Sequence, residues 1–521
     1  MLDFLIHSPV SHFARATPDH PALSFRGQKM SYAELDQASN QLARALLASG
    51  LEHQDRVGIL MHKGLELGVA IYGILKAGGV FVPLDPFAPV ERLRFMLDDC
   101  GIRQVVTSDA MTKKLTSLPD DARPFVLGAT ASEGTEGLSW EEVRGFRADP
   151  PDVWIIDQDL GYIMYTSGST GQPKGMMHTH HGSCSYARWG ALHVGMTPQD
   201  RVASHAPLHF DLSIFDFFST AQSGGTVVLV PEPVTKFPAS WTGYIESERI
   251  SVVFTVPFTL IEMLHRGAIA QCDLSSLRWI LYGGEPFPPK HLRALMEALP
   301  EVRLTNVYGP AEAPSCTCYD IGEVSGVEEA MPIGTASVNS DTLILGEDDA
   351  VCGVGEAGEL CIRSSTLMKG YWNRPRLNER AFFFRDSHGP FAHVYYRTGD
   401  MVRRDDDGLL WFLGRKDRMV KTRGHRVELD EVEAALAAHE AVAEAASFTM
   451  PDDAGSRAIM AAVTLHPDRA ATPRDIRSFV RERLPGYAVP QAIRVLEELP
   501  RTSTGKIDRN ALMRDRESAA K

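Results

Sequence analysis

Apolar runs typical of strands alternate with helix-like amphipathic segments along most of this chain. Ser31 and Glu34 have the spacing of a capping box, and leucines at helical spacing follow them up to Gly50. Apolar runs at 57–61 and 80–84 flank another helical segment. Because strands separated by helices pair in parallel, the sequence predicts an α/β fold of parallel-rich sheets packed with helices.

The length of the chain, 521 residues, exceeds what one hydrophobic core usually serves, so we expect two or more domains. Short strands near 358–362 and an aspartate turn at 405–407 predict a β-rich subdomain. After Asp417 the pattern changes to that of a small, mobile α+β domain, in which Thr472 and Asp475 form another capping box. We therefore expect a large N-terminal domain over 1–416 and a small C-terminal domain over 417–521.

Composition excludes several classes of protein. With 44% hydrophobic and 23% charged residues the chain is globular, and its net charge of −14 argues against nucleic acid as a partner. No apolar run reaches the roughly 18 residues that a membrane span requires, and the N-terminus lacks the basic region of a secretory signal. Seven cysteines without metal-like spacing favour free thiols and a reducing, cytoplasmic environment.

The segment 165–175 reads Tyr-Thr-Ser-Gly-Ser-Thr-Gly-Gln-Pro-Lys-Gly and follows a strand-like apolar run. Glycines allow backbone N–H groups to converge on an anion, while hydroxyls and a lysine add further donors. The segment is not a Walker A loop, because Pro173 stands five residues after Gly168 and no Gly-Lys-Ser/Thr follows. A mobile linker is the alternative. The predicted phosphate-binding residues are Thr166, Ser167, Gly168, Ser169, Thr170, Gly171 and Lys174.

This loop resembles the phosphate loop of the adenylate-forming superfamily, which contains amino-acid adenylation domains, acyl- and aryl-CoA ligases and luciferases. The resemblance covers nearly the whole chain, and the other motifs occur in the order of the family. It implies attack of a substrate carboxylate on the α-phosphate of ATP, with ATP and Mg²⁺ as cofactors. The adenylate-forming fold has a large domain with a β-rich part and a small mobile domain.

Further nucleotide motifs follow from the resemblance. The segment 308–312 is similar to the second nucleotide motif of the family, with Tyr308 stacking on adenine and Glu312 holding Mg²⁺. Ala311 stands where the family usually has a threonine whose hydroxyl contacts the α-phosphate, so one hydrogen bond is absent. The nucleotide-binding residues implied in this part of the chain are Gly283, Gly284, Glu285, Asn306, Val307, Tyr308, Gly309 and Ala311.

The C-terminal part resembles the family in the ribose, hinge and lysine motifs. Asp400 would accept both ribose hydroxyls, and Arg415 would reach the ribose or the phosphates. Asp417 matches the hinge residue, and Gly424 lies where family members open a pantetheine tunnel. Lys506 resembles the catalytic lysine that bridges the substrate carboxylate and the α-phosphate, where a fixed charge stabilises the transition state.

Asp211 indicates which acid is activated. Amino-acid-activating members place an aspartate here to pair with the substrate ammonium, and a carboxylate in an apolar pocket requires a cation. The alternative role is a helix N-cap. The remaining pocket residues implied by the resemblance are Leu212, Phe215, Phe258, Leu281, Gly283, Val307, Ser315 and Cys316. This small apolar set resembles that of stand-alone prolyl–carrier-protein ligases and favours L-proline, with alanine or a β-amino acid as alternatives.

The end of the sequence bears on the acceptor of the activated amino acid. The sequence stops soon after Lys506, so we expect a separate holo carrier protein as acceptor or, alternatively, free CoA. Arg474, Arg477, Arg481 and Arg483 form a candidate basic docking face, although a solvated helix face is an equal alternative. The sequence thus predicts a stand-alone amino-acid–carrier-protein ligase. An acyl- or aryl-CoA ligase and a non-catalytic nucleotide-binding homologue are the rivals.

Overall fold

The computed structural model describes residues 4–130, 135–168, 172–322, 331–388, 391–451, 457–501, 507–509 and 511–514. The chain forms two compact units. The first contains residues 1–86, 96–165 and 175–416, and the second contains 87–95, 166–174 and 417–521. The chain passes from the first unit to the second for the last time between Lys416 and Asp417.

Strands occur along the whole chain. They are β1 Pro21–Phe25, β2 Gln28–Ser31, β3 Arg56–Leu60, β4 Val80–Pro83, β5 Gln104–Thr107, β6 Phe125–Leu127, β7 Gly137–Leu138, β8 Leu160–Thr166, β9 Lys174–Thr179, β10 Arg201–Ser204, β11 Thr226–Leu229, β12 Val252–Thr255, β13 Trp279–Gly283, β14 Arg303–Tyr308, β15 Thr317–Asp320, β16 Thr335–Ala336, β17 Ser340–Leu345, β18 Ala357–Ser364, β19 Gly370–Tyr371, β20 Phe382–His388, β21 Phe391–Arg404, β22 Leu410–Arg415, β23 Met419–Thr422, β24 His425–Glu428, β25 Val442–Pro451, β26 Arg457–Leu465 and β27 Ala492–Val495.

Helices connect most of these strands. They are α1 Ser8–Ala16, α2 Tyr32–Ala48, α3 Leu65–Lys76, α4 Val90–Cys100, α5 Asp109–Thr116, α6 Trp140–Arg144, α7 His180–Val194, α8 Leu212–Ile214, α9 Thr220–Ser223, α10 Glu232–Thr235, α11 Pro238–Ser247, α12 Pro257–Arg266, α13 Pro289–Ala298, α14 Pro375–Ala381, α15 Leu429–Ala437 and α16 Pro473–Arg481. A π-helix, Phe215–Ser219, joins α8 to α9.

The first unit contains two large sheets with parallel centres. One has nine strands in the order β16-β15-β14-β13-β12-β10-β11-β1-β2, and the other has eight in the order β19-β9-β8-β4-β3-β5-β6-β7. In the nine-stranded sheet, the pairings from β1 through β14 are parallel, and the outer pairs β1–β2, β14–β15 and β15–β16 are antiparallel. The predicted α/β class is confirmed.

One apolar cluster joins these two sheets to the helices between them. Val57 and Phe81 contribute from the eight-stranded sheet, Val202 and Leu281 from the nine-stranded sheet, and Leu42 from α2. All five side chains are essentially inaccessible to solvent. The local signal that begins α2 is present as predicted: Ser31 accepts from the Glu34 N–H, and the Glu34 carboxylate accepts from the Ser31 N–H.

The β-rich part of the first unit is a five-stranded antiparallel sheet. Its order is β17-β18-β21-β20, with β22 pairing along the far half of β21. The register of β21 and β22 sets Asp400 opposite Arg415. The sequence prediction of a β-rich region before the second unit is therefore correct, and this sheet supplies two predicted nucleotide-site residues.

The second unit has its own core. Its hairpin β23–β24 and three-stranded sheet β25-β26-β27 accompany α15 and α16. Val432 of α15, Val463 of β26 and Ile476 of α16 are completely buried in one cluster. Thr472 and Asp475 form the predicted capping box at the start of α16. Among the described residues, no helix is both long and apolar enough to cross a membrane.

Candidate active site

The candidate site begins at the carboxyl ends of four neighbouring strands. In the parallel register, Thr255 lies beside Tyr282, and Gly283 lies beside Val307. Strand β10 ends at Ser204, from which the chain runs towards Asp211. Ligands of open parallel sheets bind outside the carboxyl ends of the strands, where connecting loops diverge. The sheet therefore brings to one edge several residues that the sequence assigns to the amino-acid pocket and the nucleotide.

Asp211 precedes α8, the position of a helix N-cap, yet its side chain makes no capping hydrogen bond. Its backbone has helical angles, φ −60° and ψ −25°, instead of the extended angles that a capping residue usually has. Burial raises the pKa of Tyr186, and the charge of Asp211 raises it further. The carboxylate thus acts on the interior of the first unit, and the capping alternative lacks its defining contact.

The predicted pocket walls are mostly buried. Phe215, Leu281 and Cys316 have no exposed surface, and Val307 has 4%. The Phe215 ring meets the Phe254 ring edge to face, with centroids 5.2 Å apart. Leu212 and Phe258 are half-buried. Such walls can receive a compact apolar group, and they leave the half-buried Asp211 as the carboxylate among the predicted pocket residues.

Gly309 and Ser315 fix the turn after β14. Ser315 has a positive φ of 52°, a conformation that non-glycine residues rarely adopt. A Cβ on Gly309 would overlap the Ser315 backbone nitrogen, so only glycine fits this close approach. Within the turn, the Cys316 thiol donates to the Tyr308 carbonyl at 3.4 Å. The tight turn holds Ser315 and Cys316, both predicted pocket residues, next to the nucleotide motif.

Three predicted nucleotide residues form one hydrogen-bonded group. The Tyr308 hydroxyl donates to one Asp400 oxygen at 2.5 Å, and Arg415 donates to the other at 2.5 Å. Burial raises the pKa of Tyr308, and the Asp400 charge raises it further, so the phenol remains a donor. The Asp400 side chain is 3% exposed. Sequence reasoning assigned separate roles to these residues, whereas the structure connects them.

Glu312 is completely buried, and its partner was missed by sequence reasoning. The Tyr371 hydroxyl donates to Glu312 at 2.6 Å and lies 3.2 Å from the Tyr396 hydroxyl. Tyr371 belongs to the short strand β19, and no motif spacing connects it to Glu312. Burial lowers the pKa of the nearby His178 to about 4, against the opposing effect of the Glu312 charge.

Glu312 fits a magnesium ion that is shared with a nucleotide. Mg²⁺ commonly takes one or two carboxylates and completes its shell with phosphate oxygens and water. The Tyr371 hydroxyl donates to one oxygen of the Glu312 carboxylate, and a carboxylate has about four lone-pair sites. In the part of the chain that the structure describes, no three His, Cys, Asp or Glu side chains converge as ligands. A metal here would therefore depend on ATP for most of its ligands.

The glycine turn after β13 is also dictated by close approach. Gly283 packs so tightly against the Val307 carbonyl that a Cβ would overlap it, and Gly284 has a positive φ of 94°. The Glu285 carboxylate accepts from the Phe258 backbone N–H at 3.1 Å. Asn306 of the neighbouring strand donates to the Pro332 carbonyl at 2.8 Å. The turn thus joins the adenine motif to the start of α12.

The predicted phosphate loop connects β8 to β9. Ser169, Thr170 and Gly171 lie outside the described residues. A Cβ on Gly168 would overlap the Gln172 carbonyl, which explains glycine at this position. The Thr166 hydroxyl is buried and has no hydrogen-bond partner among the described residues. An unpaired buried hydroxyl has the capacity to bind a ligand oxygen. Lys174 is the first residue of β9 and is half-buried.

Within the second unit, the structure describes Gly424, Asp417 and part of the phosphate loop. The Ser167 hydroxyl donates to the Arg426 carbonyl at 3.0 Å. Gly424, with φ 80°, and Arg423, with φ 50°, form the two-residue turn between β23 and β24. A two-residue turn with two positive φ angles favours glycine because glycine has no Cβ, so the turn itself explains Gly424 without a tunnel. Lys506 lies outside the described residues.

The predicted hinge lies between separately anchored residues. The Lys416 backbone N–H donates to the Gly399 carbonyl at 2.8 Å within the first unit. The Asp417 carboxylate accepts from the Met419 N–H at 3.2 Å within the second. Each side of the Lys416–Asp417 bond therefore has its own attachment. Changes in ψ of Lys416 and φ of Asp417, the torsions on either side of this planar peptide bond, would leave both hydrogen bonds intact.

Comparison with known proteins gives two family matches. The model described as "AMP-binding enzyme" matches residues 10–372, more than half of the chain. The model described as "AMP-binding enzyme C-terminal domain" matches residues 431–506. These ranges contain the predicted phosphate loop, pocket and second nucleotide motif on one side, and the predicted lysine on the other.

The similar proteins match nearly the whole length of this chain. The L-proline–[L-prolyl-carrier protein] ligase of Pseudomonas fluorescens is 35% identical over 98% of this chain and 99% of its own. Tyrocidine synthase 2 of Brevibacillus parabrevis is 35% identical over 98% of this chain, which spans 14% of that synthase. The solved adenylation domain AlmE of Vibrio cholerae, in complex with glycyl-adenosine-5′-phosphate, is 25% identical with a TM-score of 0.85, over 99% and 98% of the two chains.

Proposed function

Because this chain belongs to the AMP-binding enzyme family, we propose that it activates a small apolar amino acid, with L-proline as first candidate, for a separate carrier protein. It is an ATP-dependent, AMP-forming ligase. The proposal adds the substrate and the acceptor. The amino-acid carboxylate oxygen attacks the α-phosphorus of ATP, pyrophosphate leaves, and an aminoacyl-AMP forms. The phosphopantetheine thiol then attacks the acyl carbon, loses its proton and releases AMP.

Asp211 is the observation that carries the amino-acid part of this proposal. Its side chain makes no capping hydrogen bond, and its charge acts on the buried Tyr162 and Tyr186. A carboxylate in such surroundings is stabilised by a cation, and an amino-acid ammonium supplies one. Similarity to a prolyl-carrier protein ligase over the full chain supports proline and a carrier protein.

The remaining predicted residues would bind the nucleotide and stabilise the charge on its phosphates. Tyr308, Asp400 and Arg415 would hold the nucleoside, with the phosphate loop around the triphosphate. Glu312 would hold Mg²⁺, which neutralises charge on the phosphates when bound. Lys506 would stabilise the charge that develops on the α-phosphate, as a preorganised cation does in phosphoryl transfer.

Amino-acid-dependent exchange of pyrophosphate into ATP tests the first half-reaction. A panel of proteinogenic amino acids, D-alanine, β-amino acids, and aryl and fatty acids separates the candidates. We expect one strong signal from proline or a similarly small amino acid, lost in Asp211→Ala. Signal only from aryl or fatty acids, or full activity of Asp211→Ala, would contradict the proposal.

The second half-reaction requires a different acceptor test. Purified holo carrier proteins and free CoA are offered separately to the enzyme with the activated amino acid. We expect an aminoacyl thioester on a carrier protein, detected by intact mass, and little acyl-CoA. Transfer to CoA alone would assign the chain to the CoA-ligase branch of the family.

A further inference from the structure

Lys63 is a buried lysine in the loop that follows β3, outside every motif described above. Its ammonium donates to the Ser204 carbonyl at 2.6 Å and to the His205 carbonyl at 2.8 Å. Only 9% of the residue is exposed. Ser204 ends β10, and His205 begins the segment that leads to Asp211. Lys63 therefore grips the start of that segment through two charge-assisted hydrogen bonds.

The same ammonium acts on the end of the segment. Asp216 lies in the π-helix and is completely buried. Burial raises the pKa of Asp216, and the charge of Lys63 opposes this rise. Charge on a buried carboxyl group is costly, and a nearby cation reduces that cost. Lys63 supplies that cation.

A third contact anchors Lys63 itself. Its backbone N–H donates to the Glu232 carboxylate at 3.1 Å, and Glu232 also pairs with His62 at 3.3 Å. Glu232 begins α10, directly after the neighbouring strand β11. The lysine backbone is therefore fixed to α10, and its side chain is directed towards the start of the segment 205–216.

We propose that Lys63 is a positioning residue for amino-acid recognition, because its ammonium holds the backbone at the start of the segment 205–216. This segment carries Asp211, Leu212 and Phe215, three of the predicted pocket residues. The inference rests on the proposed function, in which these residues contact the substrate. Displacement of the segment by a fraction of an ångström would weaken binding of the acid, since a pocket depends on the placement of its walls. The ammonium of Lys63 donates to Ser204 and His205, so we expect the nucleotide group of Tyr308, Asp400 and Arg415 to be unaffected.

A matched control exists in Lys76 of α3. It is also a buried lysine, 6% exposed, and its ammonium donates to the Asp36 backbone carbonyl at 3.0 Å and to the Asp36 carboxylate at 2.7 Å. Its further bonds go to Ser39 and Asn40 of α2. Lys76 therefore matches Lys63 in burial and in types of partner but contacts helix α2 instead of the segment 205–216.

The test compares Lys63→Met, Lys63→Arg and Lys76→Met with the wild type. Pyrophosphate exchange gives the KM for the activated acid and for ATP, and thermal melting gives stability. We expect Lys63→Met to raise the KM of the acid at least about tenfold, from the loss of charge-assisted hydrogen bonds, with the KM of ATP unchanged. Lys63→Arg should restore much of the loss, and Lys76→Met should lower the melting temperature without this split.

Two outcomes would overturn the inference: an equal rise of both KM values in Lys63→Met, or the same acid-specific rise in Lys76→Met. If Lys63→Met does not fold, Asp216→Asn replaces it, and an unchanged acid KM in that variant has the same meaning. Failure of the proposed function is a separate result, because it appears in the wild type. If the wild type activates an aryl or fatty acid, the KM of that acid is used, since Leu212 and Phe215 would still line its pocket.

Discussion

Opposite oxygens of the Asp400 carboxylate are held by the Tyr308 hydroxyl and the Arg415 guanidinium, at 2.5 Å each. Such a carboxylate is already oriented before a ligand arrives, so little reorganisation accompanies binding. Arg415 is 10% exposed at its side chain, and the pair is therefore shielded from solvent. At the scale of single residues, the proposed ribose site is preorganised by its neighbours.

Tyr308→Phe tests this preorganisation. The variant removes the hydroxyl donor to Asp400 and keeps the aromatic ring, so we expect the KM of ATP to rise about tenfold. The KM of the amino acid should change less than about twofold, because Tyr308 has no predicted contact with the substrate side chain. Pyrophosphate exchange at varied ATP and varied amino acid measures both values.

Tyr282→Phe is the control for this prediction. The Tyr282 hydroxyl is buried and has no hydrogen-bond partner in the described part of the chain. Its removal should leave both KM values unchanged and should not lower stability. A rise in the KM of ATP in both variants would mean that the effect of Tyr308→Phe comes from general loosening of the fold.

Helix α16 and the residues directly after it carry the four arginines that the sequence proposes for docking, and these arginines differ in their surroundings. Arg474, Arg481 and Arg483 are exposed. The Arg483 guanidinium stacks over the Phe479 ring at 3.4 Å and donates to the Phe479 carbonyl, while Arg477 is partly buried. Arg474 and Arg481 are therefore the arginines of this group best placed for a partner. Arg477 and Arg483 help to pack the helix.

Reversing the charge of Arg474 and Arg481 tests the docking role of α16. Carrier proteins are usually acidic, so we expect the double change to glutamate to raise the KM of the carrier protein about tenfold. Amino-acid activation should not change. The control is Arg266→Glu, an exposed arginine of α12 that pairs with Glu262 at 3.0 Å. An unchanged carrier KM in the double variant would exclude this face.

The whole molecule consists of two units whose chain crosses finally at Lys416–Asp417. The proposed function has two sequential half-reactions, and the resemblance to the adenylate-forming family implies that the small domain rotates between them. We therefore expect Asp417→Pro, which restricts the backbone at the crossing, to retain pyrophosphate exchange. Formation of the carrier thioester should fall at least about tenfold. Equal loss of both activities would contradict rotation about Asp417.

Three buried histidines make the stability of the fold dependent on pH. Burial lowers the pKa of His178 and of His180 to about 4, and that of His205 to about 3. Between pH 6.5 and about 4 the unfolded chain binds protons at these positions and the folded chain does not. The free energy of unfolding therefore falls as the pH is lowered through this window.

Thermal melting at pH 7.5 and pH 5 measures this effect. We expect the melting temperature to fall by several degrees at pH 5, and His180→Asn to reduce the difference. The His180 Nδ1 accepts the Ile6 backbone N–H at 3.3 Å, a bond that an asparagine oxygen can also accept. A melting temperature independent of pH over this range would show that these histidines are protonated within the fold.

Features that depend on residues close together in the chain could be predicted from the sequence alone. The capping boxes of α2 and α16 and the glycine turns depend on backbone angles within a few positions of the chain. The alternation of strands and helices likewise gave the α/β class, and the motifs led to the family.

The tertiary structure decided the contacts between distant parts of the chain. Tyr308 meets Asp400 across 92 positions, Tyr371 meets Glu312 across 59, and Lys63 meets Ser204 across 141. No local pattern encodes these pairs, because each joins residues on or next to strands of different sheets, and the packing of the sheets arises from burial of the whole core. Capping and turn geometry are local properties of the backbone, whereas the orientation of a site carboxylate depends on which sheets pack together.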